Sequence, residues 1–246
     1  MKSNAFTHSL APSLSLSLPL LQKCPVVCPV CHCIFVFPGN WRILSPILRV
    51  MPTVEMLALL SDLVQRIHPL EGEVWDAFSG IWQPFEAGRK EILTSEGEKE
   101  RYLYFVLEGV QRAYALNEEG RDATLVFTYP YSFGGVLDAF LLQQPSRYWF
   151  ETLTPSLFLR ATFAQLEETM VRHHDVERLV RLGLTGAFSG VLTRQIELQS
   201  CSAEERFRIL MKRSPHLLTM VPHKYLANYL GMDPTNFSKF LGKIRL

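Results

Sequence analysis

The last 26 residues of the chain read Val221-Pro-His-Lys-Tyr-Leu-Ala-Asn-Tyr-Leu-Gly-Met-Asp-Pro-Thr-Asn-Phe-Ser-Lys-Phe-Leu-Gly-Lys-Ile-Arg-Leu246. One apolar helical face recurs in this stretch at Tyr225, Leu226, Tyr229 and Leu230. Gly231 follows, and glycine readily adopts the left-handed conformation that ends a helix. Asp233 and Pro234 are suited to the N-cap and the first position of a second helix. The stretch therefore predicts two short helices joined at a glycine, a helix-turn-helix.

The second helix, predicted from Pro234 to about residue 244, has a polar face that could enter a major groove. Candidates for contacts to bases or nearby phosphates are Thr235, Asn236, Ser238 and Lys239. Candidates for contacts to the DNA backbone are Lys224, Lys243 and Arg245. Helical spacing alone is equally compatible with an ordinary helical hairpin that caps a domain and whose lysines simply face solvent.

The distribution of charge favours the DNA-binding interpretation. Residues 204–246 carry eight basic and three acidic side chains, a net charge of +5. The whole chain is only +1, so the rest is about −4. A positive module on an acidic body is typical of a DNA-binding domain, whereas the near-neutral total argues against a protein that coats nucleic acid indiscriminately.

The composition indicates a folded globular protein. The chain has 246 residues, of which 48% are hydrophobic and 20% charged, enough for one large or two modest domains. We find no apolar run long enough for a membrane span. Four of the five cysteines are Cys24, Cys28, Cys31 and Cys33, so the body shows no disulfide framework and a cytoplasmic location is expected.

Residues 1–50 differ from the rest, because they contain no acidic residue and are rich in proline and serine. Three interpretations are open: a secretory signal, a zinc or iron–sulfur site built from the cysteine cluster, or translated sequence upstream of a start at Met51. The third is favoured, since this segment cannot assemble a core of its own. No metal or cofactor site is therefore predicted.

Residues 81–161 alternate short β-type runs with glycine turns, which predicts an all-β barrel or sandwich. Phe133-Gly134-Gly135 then leads into a short helix, where exposed N–H groups could hold an anion or where the glycines simply form a turn. Residues 163–172, 176–198 and 203–213 have helical periods, and Ser202 with Glu205 forms a capping box for the last of them. The long helix 176–198 needs a partner for its apolar side, either a second copy of the chain, which is favoured, or its own barrel.

Together these parts resemble the Crp/Fnr family of bacterial transcription regulators from residue 53 to residue 246. The resemblance is strongest in residues 204–218 and 221–239, which are similar to a branch common in Bacteroidetes, and in residues 103–110 of the β-roll. It implies an α+β fold in which an antiparallel, jelly-roll-type sensor β-roll with flanking helices (51–168) follows the segment 1–50. A dimerisation helix (169–200) and a helix-turn-helix domain (201–246) complete the chain, which ends before the wing that such regulators usually have.

The resemblance also implies where a ligand would bind. Nucleotide-binding members have a Phe-Gly-Glu turn and an Arg-Ser/Thr pair, whereas this chain has Phe133-Gly134-Gly135 and Pro145-Ser146-Arg147-Tyr148. Gly134, Gly135 and Arg147 remain the candidate ligand residues, but the missing carboxylate and inverted pair argue against cyclic AMP bound in the usual way. The barrel also lacks the cysteine expected in the oxygen-sensing branch.

The leading hypothesis is a cytoplasmic, homodimeric, sequence-specific DNA-binding regulator whose effector is unknown and whose partner, by family resemblance, is RNA polymerase. The alternative is a small-ligand sensor that acts through protein contacts. The best candidates for an enzyme are His173-His174-Asp175, but neighbouring helical residues point in different directions and the sequence places no nucleophile beside them.

Overall fold

The computed structural model describes residues 53–243, so the cysteine cluster, Met51 and Arg245 lie outside the described part of the chain. Two helices come first, α1 (Thr53–Ile67) and α2 (Gly72–Ser79). α1 buries Met56, Leu60, Leu63 and Val64, the i, i+4, i+7, i+8 stripe expected of an amphipathic helix.

Eight strands follow and form two antiparallel sheets. They are β1 (Gln83–Ala87), β2 (Ile92–Thr94), β3 (Tyr102–Glu108), β4 (Gln111–Leu116), β5 (Asp122–Thr128), β6 (Phe133–Gly134), β7 (Trp149–Thr152) and β8 (Ser156–Thr162). The strand orders are β1-β8-β3-β6 and β2-β7-β4-β5. This arrangement confirms the predicted β-roll, and the short strand β6 is an addition at the glycine turn.

The roll has a different core on each face of the first sheet. Tyr104, Phe150 and Phe158 are buried together inside the roll. The opposite face of β3 carries Leu103, Phe105 and Leu107, which pack against α1 and α2. This alternation follows from the period of two along a strand, because successive side chains point to opposite faces.

The short helix α3 (Leu137–Leu142) lies within the roll, between β6 and β7. Two helices then connect the roll to the C-terminal region: α4 (Phe163–Arg172) and α5 (His174–Ser200). Thr162 and Gln165 form a capping box at the start of α4. α5 has 27 residues, and its first turns bury Val176 and Leu179 against the roll.

The C-terminal region consists of α6 (Ala203–Arg213), α7 (Leu217–Met220), α8 (His223–Tyr229) and α9 (Pro234–Lys243). The predicted capping box of Ser202 and Glu205 is present at the start of α6. Helix α7 was not predicted from the sequence, because a single turn leaves no helical period to detect.

Candidate nucleic-acid interface and sensor roll

Helices α8 and α9 form the predicted helix-turn-helix. Gly231 joins them with φ +61°, the left-handed conformation expected of it. The Thr235 N–H donates to Asp233 Oδ1 at 2.7 Å, as the N-cap assignment requires. Phe237 is fully buried and its ring lies 5.2 Å from that of Phe207 on α6. The buried aromatic contact therefore fixes which face of α9 remains in solvent.

The face of α9 opposite Phe237 is exposed. The candidates Thr235, Asn236, Ser238, Lys239 and Lys243 all lie on the surface, as does Lys224 on α8. We call Thr235, Asn236 and Lys239 the reading face. Ser238 differs from them because its hydroxyl donates to Pro234 O at 3.0 Å within the same helix, which leaves it less available for DNA.

Two of the basic side chains counted in this region are used inside the protein. Arg206 donates to Leu230 O at 2.8 Å and to Gly231 O at 3.2 Å, so it satisfies carbonyl groups at the end of α8. Arg213 pairs with Glu197 of α5 at 2.6 Å. Part of the positive charge counted in residues 204–246 therefore holds the helices together.

The helix-turn-helix packs against the roll of its own chain. Arg112 on β4 lies between two rings, with Cζ at 4.1 Å from the ring centroids of both Tyr114 and Tyr225. Its guanidinium also donates to Glu151 at 2.6 Å and to Asp122 at 2.5 Å. Burial disfavours this charge, but the two carboxylates outweigh that cost and raise the pKa of Arg112. Tyr225 of α8 is thus held against the roll by an arginine that is itself paired with two carboxylates.

A second contact joins α8 to the edge strand β5. Asn228 Oδ1 accepts from the Thr124 N–H at 2.6 Å, and Asn228 Nδ2 donates to Asp122 O at 2.7 Å. Strand β5 is the last strand of its sheet, so these backbone groups have no neighbouring strand to pair with. The asparagine amide takes the place of a peptide group of that missing strand.

The end of α5 provides a third contact. Glu197 accepts hydrogen bonds from Arg194 and Arg213, and Arg194 also donates to the Tyr229 carbonyl. Burial would raise the pKa of the Glu197 carboxyl, but the two arginines outweigh it and hold the pKa below its usual range. Arg194 and Glu197 are three residues apart on one helix, whereas the partners Arg213 and Tyr229 lie 16 and 35 residues away in sequence, so no local pattern indicated these two contacts.

The glycine turn contains a buried carboxylate that the sequence did not indicate. Glu100 is 2% exposed, and its Oε2 accepts from the Val136 N–H at 3.0 Å and from Thr94 Oγ1 at 2.8 Å. A Cβ on Gly135 would lie 3.5 Å from that oxygen and 3.2 Å from Tyr102 O, in a backbone with φ +109°. Burial raises the pKa of Glu100 despite these donors. The turn is therefore already occupied by an acidic group of the chain itself.

Ser146 and Arg147, which follow Pro145 in the sequence, differ in burial and in contacts. Ser146 is buried, and its hydroxyl donates to Tyr148 O at 2.7 Å and accepts from Tyr148 N at 3.0 Å. Arg147 is exposed, with Cζ 5.8 Å from the Tyr148 ring centroid. The hydroxyl of Ser146 is therefore used within the chain and Arg147 faces solvent, while ligand binding by Gly134, Gly135 and Arg147 stays a prediction.

Two of the three residues considered for catalysis, Asp175 and His174, have partners elsewhere. Asp175 lies 3.0 Å from His68, a contact that ties the start of α5 to the end of α1. His174 lies 3.7 Å from Glu177 on its own helix. Within residues 53–243 no group of three acidic, histidine or cysteine side chains is placed to hold a metal ion. Likewise, none of the helices in this range is long and apolar enough to cross a bilayer.

Comparison with protein families finds one match to the described roll. Residues 84–173 match the model of the cyclic nucleotide-binding domain. The match begins in β1, ends directly after α4, and includes the glycine turn. Among curated protein sequences none matches the chain significantly.

Solved structures have the same fold. FixK2 from Bradyrhizobium japonicum superposes with a TM-score of 0.60 at 19% identity, covering 66% of this chain and 84% of that protein. A putative Crp/Fnr-family transcriptional regulator from Eubacterium rectale gives 0.57 at 16% identity, covering 70% and 82%. The c-di-GMP-responsive regulator CLP from Xanthomonas campestris gives 0.54 at 15% identity, covering 70% and 91%. These likenesses confirm the predicted resemblance to the Crp/Fnr regulators in fold.

Proposed function

From the Crp/Fnr-type fold and the cyclic nucleotide-binding-type roll, we propose that the chain is a cytoplasmic, sequence-specific DNA-binding transcription regulator rather than an enzyme. One observation carries the proposal: α9 buries Phe237 and leaves Thr235, Asn236 and Lys239 in solvent. Side chains near the start of such a helix are those that reach base edges in a major groove. Lys224, Lys243 and Arg245 would contact phosphates.

We propose that the regulator is a homodimer paired through the second half of α5. That half exposes a set of large apolar side chains, comprising Leu184, Phe188, Val191, Leu192, Ile196 and Leu198. Phe188 and Ile196 are each 63% exposed, a large cost for a helix that remained in water. Positions 184, 188, 191, 195 and 198 have the alternating spacing of four and three residues that pairs parallel helices, and four of the five are apolar, with Gln195 the exception. A dimer would place two reading helices on two half-sites of a palindromic operator.

We propose further that the roll responds to an effector other than cyclic AMP bound in the usual way. Glu100 already accepts the Val136 N–H at the glycine turn, so this backbone donor is not free for the phosphate of a cyclic nucleotide. Contact with RNA polymerase and the Bacteroidetes-type assignment stay predictions that follow from the family resemblance.

The test is binding of the purified protein to DNA fragments selected from a random library. Lys239→Ala should weaken binding to all sequences and reduce the salt dependence, because each lost phosphate contact lowers the slope by about 0.9. Asn236→Ala should instead reduce the discrimination between the selected and scrambled sites by about 1–3 kcal/mol. Arg172→Ala, which removes an exposed cation at the end of α4, is the matched control and should bind as the wild type does.

Equal binding by the wild type and Lys239→Ala would refute the DNA-reading assignment. It would favour the alternative, a sensor that acts through protein contacts.

A further inference from the structure

Arg160 is an arginine on the inner face of the β-roll. It lies on β8 opposite Gln83 of β1 on one side and Tyr104 of β3 on the other. It shares a strand face with Phe158, two residues earlier, which is fully buried in the inner aromatic core. The backbone therefore directs Arg160 towards the space between the two sheets, although its side chain remains partly exposed.

Aromatic rings from both neighbouring strands flank the guanidinium of Arg160. Its Cζ lies 4.0 Å from the ring centroid of Phe85 on β1 and 4.3 Å from that of Tyr102 on β3. Cations are attracted to the faces of such rings, and these contacts restrict where the guanidinium can lie. The group is positioned by the fold and is not a freely rotating surface arginine.

This positioned cation has no counter-ion among the residues that the structure describes. Its Nε is buried without a hydrogen-bond partner. Within residues 53–243 Arg160 makes neither an ion pair nor a hydrogen bond. By contrast, Arg112 on the other sheet is matched by two carboxylates. A guanidinium whose Nε–H is removed from water without an acceptor is costly, and an anionic group that accepts from it offsets the cost.

The buried carboxylate of the roll serves another purpose. Both oxygens of Glu100 accept from nearby backbone or hydroxyl donors, at Thr94, Val136, Arg101 and Tyr102. Burial raises the pKa of the Tyr104 phenol, with Glu100 adding to this effect and Arg160 opposing it. The phenol therefore keeps its proton and remains a potential hydrogen-bond donor beside Arg160.

We propose that Arg160, flanked by Phe85 and Tyr102, is an anion-binding site of the sensor roll and takes the carboxylate or phosphate group of a small ligand. The aromatic rings provide an apolar wall for the remainder of that ligand, and the guanidinium provides a fork that matches two oxygens of one anionic group. The site is distinct from Arg147, and it stands whether or not the helix-turn-helix binds DNA.

The test uses the full chain and the nuclear magnetic resonance signal of the Arg160 Nε–H, assigned by its disappearance in Arg160→Gln. Inorganic phosphate, benzoate and cyclic AMP are titrated separately, so that the three arms distinguish a phosphate from a carboxylate ligand. We expect a saturable shift of this signal with phosphate or benzoate. Arg147→Gln, the matched control, should leave the Kd unchanged within about twofold, a difference well below the 1.4 kcal/mol of a tenfold change.

Arg160→Lys keeps the charge and the aliphatic stem but loses the fork, so it should fold even if Arg160→Gln does not. Its Kd for the same probe, followed by the shifts of neighbouring backbone amides, should rise about tenfold or more. The proposal is overturned if no probe gives a saturable shift, or if Arg160→Lys binds as tightly as the wild type. It is equally overturned if Arg147→Gln abolishes binding, because the anion would then lie at the position usual for the family.

Discussion

Replacing Asn228 with alanine should loosen the contact between the helix-turn-helix and the roll. The Asn228 amide makes two hydrogen bonds to the edge strand, at 2.6 and 2.7 Å, to the Thr124 N–H and Asp122 O. Each contributes about 1 kcal/mol, and a partly buried Thr124 N–H left without an acceptor adds about 1 kcal/mol more. We therefore expect Asn228→Ala to destabilise the docked arrangement by about 2–3 kcal/mol.

Two measurements report this loss. The free energy of unfolding from urea titration should fall by that amount. The Thr124 amide, which is protected by Asn228 alone among the described side chains, should exchange its hydrogen with solvent about 30- to 140-fold faster, since about 1.4 kcal/mol corresponds to a factor of ten.

Asn236→Ala is the matched control, because it removes the same side chain from the other helix of the helix-turn-helix. Asn236 is exposed, so its loss should change stability by less than about 0.5 kcal/mol. If Asn228→Ala shifts stability no more than Asn236→Ala does, and Thr124 exchange is unchanged, the amide does not hold the edge strand and the reasoning fails.

Three further predictions concern the long helix and the contacts at its end. Phe188→Glu should convert the dimer to a monomer in sedimentation experiments, because it places a charge in the proposed apolar seam; an unchanged mass would exclude this face. Glu197→Gln should cost about 2 kcal/mol at neutral pH, because Arg194 and Arg213 lose their carboxylate. The pKa of Glu197 is lower in the folded protein than in the unfolded chain, so its contribution to stability is full above the usual pKa of a glutamate and is lost as the pH falls through the folded pKa. The free energies of unfolding of the wild type and Glu197→Gln should therefore converge at acidic pH. Burial lowers the pKa of His216, so stability should also fall as the pH drops below about 6.5, and His216→Phe should remove that component from a pH series of urea titrations.

The agreement between prediction and structure is closest for elements with a strong local period. The predicted helix 163–172 is observed as Phe163–Arg172, and the predicted helix 203–213 as Ala203–Arg213. The predicted long helix 176–198 extends further, to His174–Ser200, because polar residues at its ends join a helix without adding to an apolar period.

In the candidate site, too, features within one helix were predictable and contacts between distant residues were not. The reading face was predictable, since Phe237 and the other apolar residues of α9 recur at helical spacing and leave the polar residues on the opposite face. The roles of Arg206 and Arg213 were not, because an arginine that binds a carbonyl group and one that faces DNA look the same in sequence. Their partners Leu230 and Glu197 become neighbours only after the helices have packed.

By itself the sequence determined the order of the elements, the helix-turn-helix and the residues on its surface, because spacing of two or 3.6 residues is a property of neighbouring positions. Only the tertiary structure decided that Asn228 completes an edge strand 104 residues away, and that Arg112 is matched by carboxylates while Arg160 is not. Charge pairing and burial depend on which distant side chains the packed sheets and helices bring within a few ångströms, and no local pattern records that choice.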